Sequence, residues 1–273
     1  QLKFINGLAE SWGEDLNDVT GKMADLKARI IRKDNLIVNM TADAAGLRLL
    51  ADAMDPVLAE LSDDRFEICE TSIPALSNRT GVMIPAQVSY VAEAFPAPTY
   101  GSDLAAPLFV LSRLLSNGYL YKKIRVEGGA YGGMCQYDPT GGVFSFLSYR
   151  DPHLERTLSV YDEALRFAEK GAIPHEEIQK AIIGSIGALD RPMDPVSRGF
   201  ASMIRYFSGL NDEERKKFRL AVLSMDDKAL SGEALEYLVR VKDKAAVAVY
   251  AEGEKMHTAN MVLQPPLQIE TLT

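Results

Sequence analysis

The sequence DPTGG, residues 138–142, constrains the fold of this chain more than any other short stretch. Pro139 fixes φ at about −65°, and Gly141 is free to adopt positive φ, so the two residues together favour a turn. The turn is followed by VFSFLSYR, residues 143–150, a run rich in β-branched and aromatic side chains. Residues 130–150 are therefore predicted to form a β-hairpin, and the fold must contain a sheet.

The rest of the chain alternates between helical and extended patterns. Apolar residues at steps of three and four predict amphipathic helices, and short alternating or β-branched runs predict strands. The predicted helices cover residues 15–32, 44–61, 103–124, 153–171, 174–189, 195–210, 212–225 and 231–241. Outside the hairpin, strands are predicted at 35–41, 81–95 and 244–253, with a short extended piece around 66–69. This order predicts an α+β fold, with helices packed on one face of a mixed or largely antiparallel sheet.

Single residues set some of the expected boundaries. Thr41 or Asp43 is expected to cap the second helix and Asp103 the third, because their side chains can accept hydrogen bonds from free backbone N–H groups. Pro85 lacks an N–H, which limits its strand to a sheet edge or to the first residues of a strand. Gly171 is expected to end the helix in which it lies.

Composition narrows the classes of function. With 273 residues, 47% of them hydrophobic, the chain can bury a sizeable core as one large domain or two small ones. The net charge of −8 argues against a general nucleic-acid partner, which would require a basic patch. Cys69 and Cys135 lie far apart and form no C-x-x-C pair, which predicts free thiols in a reducing compartment. No apolar run reaches the roughly 18 residues of a membrane span, so a cytoplasmic protein without a membrane partner is expected.

Local patterns predict neither a metal site nor a catalytic nucleophile. The three histidines, His153, His175 and His257, have no second histidine at helical spacing, so H-E-x-x-H and its inverse are both missing. A catalytic zinc ion needs three protein ligands, which only residues distant in sequence could supply here. No G-x-S-x-G elbow is present. The sequence GGAYGG, residues 128–133, precedes a strand rather than a helix, so it does not match a phosphate-binding loop.

The sequence RVEGGAY, residues 125–131, holds the strongest candidates for a functional site. Gly128 and Gly129 oppose a straight strand, so Arg125 is expected at a helix end and Tyr131 at the start of a strand. Both side chains could then face one cleft, where arginine offers up to five donors and a tyrosine hydroxyl can donate to an oxyanion. A purely structural explanation is also open: Arg125 would offset a helix dipole, and Tyr131 would cover a sheet edge.

The stretch LSNGYLYKKIRVEGGAYGGMCQYDPTGGVFSFLSYRDPHLERTL, residues 115–158, resembles the C-terminal half of pitrilysin/insulinase-type zinc metallopeptidases. The presequence-protease and falcilysin branch is the most similar, and VSYVAEAF (88–95) and ALDRPMDPVSRGF (188–200) also resemble it. The resemblance extends over most of the chain. Its specific part is the arginine, the glycine-containing loop and the Tyr-Gly that starts a strand.

This resemblance implies a clamshell of two halves and a fold like that of LuxS and the processing peptidases. The zinc site of the family, H-x-x-E-H plus a distal glutamate, lies in the N-terminal half, and nothing in this sequence matches it. The chain is therefore expected to be the C-terminal, substrate-binding portion of a zinc-dependent metallopeptidase that degrades oligopeptides. Alone it should bind no zinc and be inactive. Its implied partners are a peptide substrate and the N-terminal half of the same peptidase.

The resemblance also assigns roles to single residues. Arg125 would hold a backbone carbonyl of the substrate, and Tyr131 would stabilise the oxyanion that forms when zinc-bound water attacks the peptide. Gly128 and Gly129 would form a flexible link between the two side chains and take part in the same substrate-binding site.

The sequence also predicts three domains and leaves two alternative functions open. Residues 1–34 are predicted to be a helical lead-in from a preceding domain or linker, 35–255 the α+β peptidase-half domain, and 256–273 a C-terminal tail. One alternative is a non-catalytic structural or scaffold subunit with the same fold. Another is a small-molecule-binding α+β domain that uses the glycine loop.

Overall fold

A computed structural model describes residues 2–10, 16–65, 77–169, 173–226, 230 and 232–271. The chain divides into two compact units, one formed by 1–75 with 192–209 and the other by 76–191 with 210–272. The extended piece predicted around 66–69, the helix end predicted at Gly171 and the thiol of Cys69 lie outside the described residues.

A six-stranded mixed sheet forms the centre of the second unit. The strands are β1 Arg79–Met83, β2 Ser89–Pro96, β3 Gly132–Asp138, β4 Val143–Asp151, β5 Ala246–Ala251 and β6 Gln268–Thr271. They lie in the order β3-β4-β2-β5-β1-β6. Pairing is antiparallel between β3 and β4, β4 and β2, and β2 and β5, whereas β1 runs parallel to both β5 and β6. The predicted α+β class with a mixed sheet is confirmed.

One face of this sheet is buried and the other is open. Burial alternates along β2, β4 and β5, as the period of two in a strand requires. Phe95 pairs with Phe144 across β2 and β4, and Phe146 joins them through edge-to-face ring contacts with both. Tyr161 stacks on Phe146 and donates its hydroxyl to the Val91 carbonyl, so the helix that carries it is fixed to the buried face.

The helices of this unit cover the buried face. Leu108, Leu111, Leu115 and Leu120 are fully buried in the core, as their helical spacing predicts. The helices are α4 Ala105–Leu114, its π-helical continuation Leu115–Val126, α5 Glu155–Glu169, α6 His175–Leu189, α8 Asp212–Leu223, α9 Glu233–Val241 and α10 Gly253–Asn260. A 3₁₀ turn, Lys242–Lys244, joins α9 to β5. No helix within the described ranges is both long enough and apolar enough to cross a membrane.

The first unit is helical. It contains α1 Leu2–Glu10, α2 Leu16–Ile30, α3 Ala44–Ala59 and α7 Pro195–Ser208, with a short 3₁₀ turn at Lys33–Asn35. Asp43 caps α3 by accepting from the Gly46 N–H at 2.7 Å, which confirms that prediction. The Asn39 side chain donates to the Gly199 carbonyl at 2.7 Å and so links segments that are distant in sequence. This link explains why the unit is larger than the lead-in 1–34 expected from sequence.

Several predicted boundaries are wrong. No strand forms at 35–41, because this apolar run has no partner strand within the described part of the unit. The single strand predicted at 81–95 is two strands, β1 and β2, and Pro85 lies between them. Residues 256–273, expected to be a tail, include β6, which pairs with β1. Each of these outcomes depends on which distant segment supplies the hydrogen-bonding partner.

The start of the third helix and the hairpin turn also differ from expectation. Asp103 does not cap α4, whose first turn has no side-chain cap; the Ser102 hydroxyl accepts from the Leu104 N–H instead. In the hairpin, Gly142 rather than Gly141 adopts positive φ, at 66°. The Asp138 carboxylate accepts from the Thr140 N–H at 2.8 Å, so the turn otherwise forms as predicted.

Glu93 is the one acidic side chain that β2 places on the buried face, where it is 7% exposed. Burial raises the pKa of its carboxyl from 4.5 to about 7, with a further contribution from the nearby Asp162 carboxylate. The folded state therefore binds this proton more tightly than the unfolded state does. Glu93 therefore contributes fully to the free energy of unfolding below pH 4.5, where its carboxyl is protonated in both states. This contribution is lost as pH rises from 4.5 through 7.

Replacing Glu93 by Gln should accordingly raise the free energy of unfolding at pH 8 by about 3 kcal/mol, at 1.36 kcal/mol per pKa unit. At a pH below the ordinary carboxyl pKa the variant and the wild type should have equal stability, because both side chains are then uncharged. Urea unfolding at the two pH values measures the difference. The exposed Asp243→Asn change is the control and should alter stability little at either pH. An equal effect of Glu93→Gln at both pH values would contradict the prediction.

Candidate functional site

The π-helical segment Leu115–Val126 determines where Arg125 lies. Its backbone bonds reach five residues back, as from the Glu127 N–H to the Lys122 carbonyl at 2.9 Å. Leu120 and Ile124 are buried, which fixes the helix against the core and leaves Arg125 exposed in the last turn. Arg125 therefore lies at a helix end, where the sequence predicted it.

A glycine turn reverses the chain immediately after this helix. The Gly129 N–H donates to the Arg125 carbonyl and the Ala130 N–H to the Ile124 carbonyl, both at 3.1 Å. Gly129 has a φ of 75°, in the left-handed region that favours glycine. A Cβ on Gly128 would lie 2.5 Å from the Ile124 carbonyl oxygen, so no larger residue fits without a shift. The two glycines are thus explained by a tight turn rather than by a flexible link, and their contact with substrate stays a prediction.

Tyr131 emerges from this turn directly before β3. Its N–H donates to the Arg150 carbonyl at 3.4 Å, which ties it to the end of β4. The guanidinium carbon of Arg125 lies 5.9 Å from the centre of the Tyr131 ring and 5.7 Å from that of Tyr121. Arg125 and Tyr131 therefore come together on the surface, where Tyr131 is 66% exposed. Cation–π attraction at such distances contributes about 0.5–1 kcal/mol at exposed sites.

A row of tyrosines on the open face of the sheet continues from Tyr131. Tyr149 contacts Tyr131 edge to face at 5.8 Å, and Tyr90 contacts Tyr149 at 5.4 Å. Tyr250 pairs with Tyr90 across β5 and β2. Sequence reasoning missed this row. The spacing of four residues between Tyr121 and Arg125 was a usable helical signal, whereas nothing in the sequence showed that Tyr149 and Tyr90 are neighbours.

The charges around the pair are mostly positive. Lys122 and Arg125 project from the helix end, and Arg150 follows at the end of β4 with a φ of 51°. Glu127 is the nearby carboxylate, and it is engaged by Lys123 at 2.9 Å. This hydrogen bond lowers the pKa of the Glu127 carboxyl, so it stays ionised and paired. The surface near Tyr131 therefore offers cationic and neutral donors suited to carbonyl oxygens and developing negative charge.

The histidines are not part of this site. His153 lies between β4 and α5, His175 is the first residue of α6, and His257 lies in α10. Within the part of the chain that the structure describes, no group of three His, Cys, Asp or Glu side chains could hold a metal ion. Cys135 is buried and unpaired, and burial raises the pKa of its thiol well above the ordinary value. These residues do not fit a zinc centre, so no chemical step of this chain can be assigned to a metal held by them.

Comparison with solved structures identifies the architecture. An inactive peptidase M16 domain from Pseudomonas fluorescens matches with a TM-score of 0.54 at 15% identity, over 81% of this chain and 53% of that chain. Pitrilysin matches with a TM-score of 0.53 at 14% identity, over 84% of this chain and 25% of that chain. The sheet and its covering helices therefore have the same fold as these peptidase domains.

Sequence comparison then gives the family. The model of the PreP C-terminal domain matches residues 79–252, so the chain belongs to the family of presequence-protease C-terminal domains. Presequence protease 1, chloroplastic/mitochondrial, of Arabidopsis thaliana is 34% identical over 260 residues, which are 95% of this chain and 24% of that protein. The mitochondrial presequence protease of Yarrowia lipolytica is 32% identical over 264 residues, covering 94% of this chain and 26% of that protein. The chain spans about a quarter of the length of these relatives, and the resemblance inferred from its sequence is confirmed.

The turn geometry predicts that Gly128→Ala will destabilise the second unit. The added Cβ must displace the Ile124 carbonyl, and such overpacking costs about 1–3 kcal/mol. Urea unfolding of the chain measures the loss. The matched control is Gly118→Ala in the helix that precedes the turn, where a Cβ meets nothing within 4 Å; this change should be neutral or mildly stabilising. Equal effects of the two substitutions would show that the turn is not tightly constrained.

Proposed function

We propose that this chain is the C-terminal, substrate-binding portion of a zinc-dependent metallopeptidase that degrades oligopeptides. The observation that carries the proposal is the convergence of Arg125 and Tyr131 on one exposed surface. The guanidinium carbon of Arg125 lies 5.9 Å from the centre of the Tyr131 ring. Membership of the presequence-protease C-terminal domain family supports it. The sheet, the helix and the turn act as the scaffold that holds the two side chains in a fixed relation.

Arg125 acts as a clamp on the peptide backbone. Its guanidinium is permanently charged and presents donors in a planar fork, which suits a carbonyl oxygen of the substrate. The rings of Tyr121 and Tyr131 flank the guanidinium and limit its side-chain freedom. Because this order exists before the peptide binds, less conformational entropy is lost on binding.

Tyr131 acts on the reacting carbonyl. When water attacks a peptide bond, negative charge develops on the carbonyl oxygen, and a fixed hydroxyl donor stabilises that charge more than it stabilises the neutral substrate. Tyr149 packs edge to face against the Tyr131 ring, and the Tyr131 N–H bonds to the Arg150 carbonyl, so both the ring and the backbone of Tyr131 are held in place. The loss of one such donor typically lowers kcat by about 100- to 1000-fold.

The activation of water falls to residues outside this chain. The described residues offer no metal ligand set, so the zinc ion of the proposed enzyme would be held by its N-terminal half. That half is also the main partner in the proposal, together with the peptide. The organelles in the names of the plant and fungal relatives apply to those proteins, and the cytoplasmic location expected of this chain stays a proposal.

The decisive experiment is Tyr131→Phe in the full-length protein. Kcat for a fluorogenic oligopeptide should fall by about 100-fold or more, while KM changes less than about threefold, because the hydroxyl acts mainly in the transition state. The matched control is Tyr250→Phe, another exposed tyrosine on the open face, which should leave both constants unchanged. An unchanged kcat in Tyr131→Phe would refute the oxyanion role. A wild-type protein that cleaves no peptide with zinc present would favour the scaffold alternative.

A second substitution tests the clamp. Arg125→Gln should raise KM by about 10- to 100-fold, because a charge-assisted hydrogen bond to the substrate contributes roughly 1.5–3 kcal/mol. Lys122→Gln removes the same charge from the same exposed helix end and should change KM by less than about twofold. Steady-state kinetics on one peptide with both variants separates the specific clamp from a general electrostatic effect. Equal increases in KM would contradict the assignment.

A further inference from the structure

A second polar site lies away from the Arg125 surface, between the sheet and α5. It is a cavity of about 920 Å³ whose wall includes the start of β1, the middle of β2, one side of α5, the 3₁₀ turn before β5 and residues 262–266. Neither Arg125 nor Tyr131 lines it. Its volume lies within the range of roughly 300–1,000 Å³ that is typical of small-molecule sites.

The register of the sheet brings two opposite charges to this cavity. Arg79 on β1 and Glu93 on β2 are both paired with Val247 of β5, one on either side. Residues paired across strands project from the same face of a sheet, and Val247 is buried on the helix-covered face. At about 4.8 Å between strands, the two Cα atoms stand about 10 Å apart. Their side chains therefore enter the cavity from adjacent positions with a gap between them.

Both groups lack the partner that their burial requires. Glu93 is 7% exposed and makes no hydrogen bond or close ion pair with any residue that the structure describes, although the charges of Lys242 and Arg79 act on its carboxyl. The Nε of Arg79 is buried and likewise has no acceptor among the described residues. The neighbouring Asp162 and Lys242 already neutralise each other at 2.5 Å. A buried carboxyl and a buried guanidinium N–H without partners each carry an unrecovered desolvation cost.

We propose that this cavity binds a molecule in which a protonated amine stands next to a carbonyl oxygen, as in a free α-amino acid or the N-terminus of a short peptide. The ammonium group donates to the Glu93 carboxylate, and the carbonyl or carboxylate oxygen accepts from the Arg79 guanidinium, which also lines the cavity. One such ligand pairs with both charged groups at once. This site is independent of the proposed peptidase function and would exist even if that proposal failed.

The remaining charges favour an amine over an anion or a metal. The charged side chains that line the cavity with Glu93 are Arg79 from β1, Glu155 and Asp162 from α5, and Lys242 and Asp243 from the 3₁₀ turn. Carboxylates outnumber cations in this set, so the cavity attracts positive charge. The described residues contain no group of three His, Cys, Asp or Glu side chains that could hold a metal ion. The ligand cation is therefore organic.

Burial supports the same assignment. It raises the pKa of Glu93 to about 7, so near neutral pH the carboxyl is only partly ionised in the empty cavity. A bound ammonium group favours the ionised form and lowers this pKa. Binding should therefore release a proton and should become tighter as pH rises from 6 to 8.

Isothermal titration calorimetry of the chain tests the proposal with four probes. L-alanine represents the free amino acid and alanyl-alanine amide the peptide N-terminus. N-acetyl-alanyl-alanine amide lacks the ammonium group, and propylamine lacks the carbonyl oxygen. Saturable binding of either alanine probe is expected, and the one that binds more tightly identifies the source. Acetylation should weaken binding by at least about tenfold, because it removes a charge-assisted hydrogen bond. Propylamine should bind more weakly than the better alanine probe.

Two variants and a control locate the binding. Glu93→Gln should weaken binding by about tenfold or more, and it is expected to fold at least as stably as the wild type. Arg79→Gln should weaken the alanine probes but leave propylamine binding unchanged. The control Asp52→Asn alters an exposed carboxylate that does not line the cavity and should change affinity less than about twofold.

Proton release distinguishes a bond to Glu93 from adsorption at the rim. Titrations at pH 7 in two buffers of different ionisation enthalpy should show a fraction of a proton released by the wild type and none by Glu93→Gln. Absence of binding by both alanine probes at millimolar concentration would overturn the proposal. Equal affinity for the acetylated probe, or unchanged affinity in Glu93→Gln, would overturn it as well.

Discussion

Burial of one face of the sheet is the constraint on which the rest of the second unit depends. Phe95, Phe144 and Phe146 contact one another across β2 and β4, and α5 packs onto them through the stacked ring of Tyr161. Side chains alternate along a strand, so the choice of buried residues also fixes which residues face away. A slip of one residue in register would exchange the two sets, and the loss of the aromatic core opposes it.

This constraint explains both candidate sites. The open face carries Tyr90, Tyr149 and Tyr250, which extend from Tyr131 across the end of the sheet where β3 and β2 begin. On the opposite face of β2, the same alternation directs Glu93 into the protein, although a carboxyl is costly to bury. A cavity beside Glu93 accommodates that cost. One strand thus contributes a surface aromatic to one site and a buried carboxyl to another.

The Arg125–Tyr131 pair depends on a different local constraint. Six residues of extended chain would separate the two side chains by roughly 20 Å. Instead, the guanidinium carbon of Arg125 lies 5.9 Å from the centre of the Tyr131 ring. The reversal is possible because Gly129 adopts positive φ and Gly128 fits against the Ile124 carbonyl. The glycines are therefore structural requirements of the site, and the helix end and strand start that they join are held by the core. The proposed clamp and oxyanion donor gain their fixed geometry from this rigid frame.

The sequence by itself determined the elements that depend on local physics. The hairpin, the long helices, the cap at Asp43 and the placement of Arg125 at a helix end follow from periodicity, turn chemistry and capping, which act over a few residues. The family resemblance likewise came from contiguous motifs.

Only the tertiary structure decided the features that depend on distant partners. The division of the predicted strand 81–95 into β1 and β2, the addition of β6 and the loss of the strand at 35–41 were all settled by strand pairing. The tyrosine row and the approach of Arg79 to Glu93 across Val247 arise in the same way. Hydrogen bonds between strands join residues that are more than a hundred positions apart in sequence, and no local pattern of side chains encodes such a pairing.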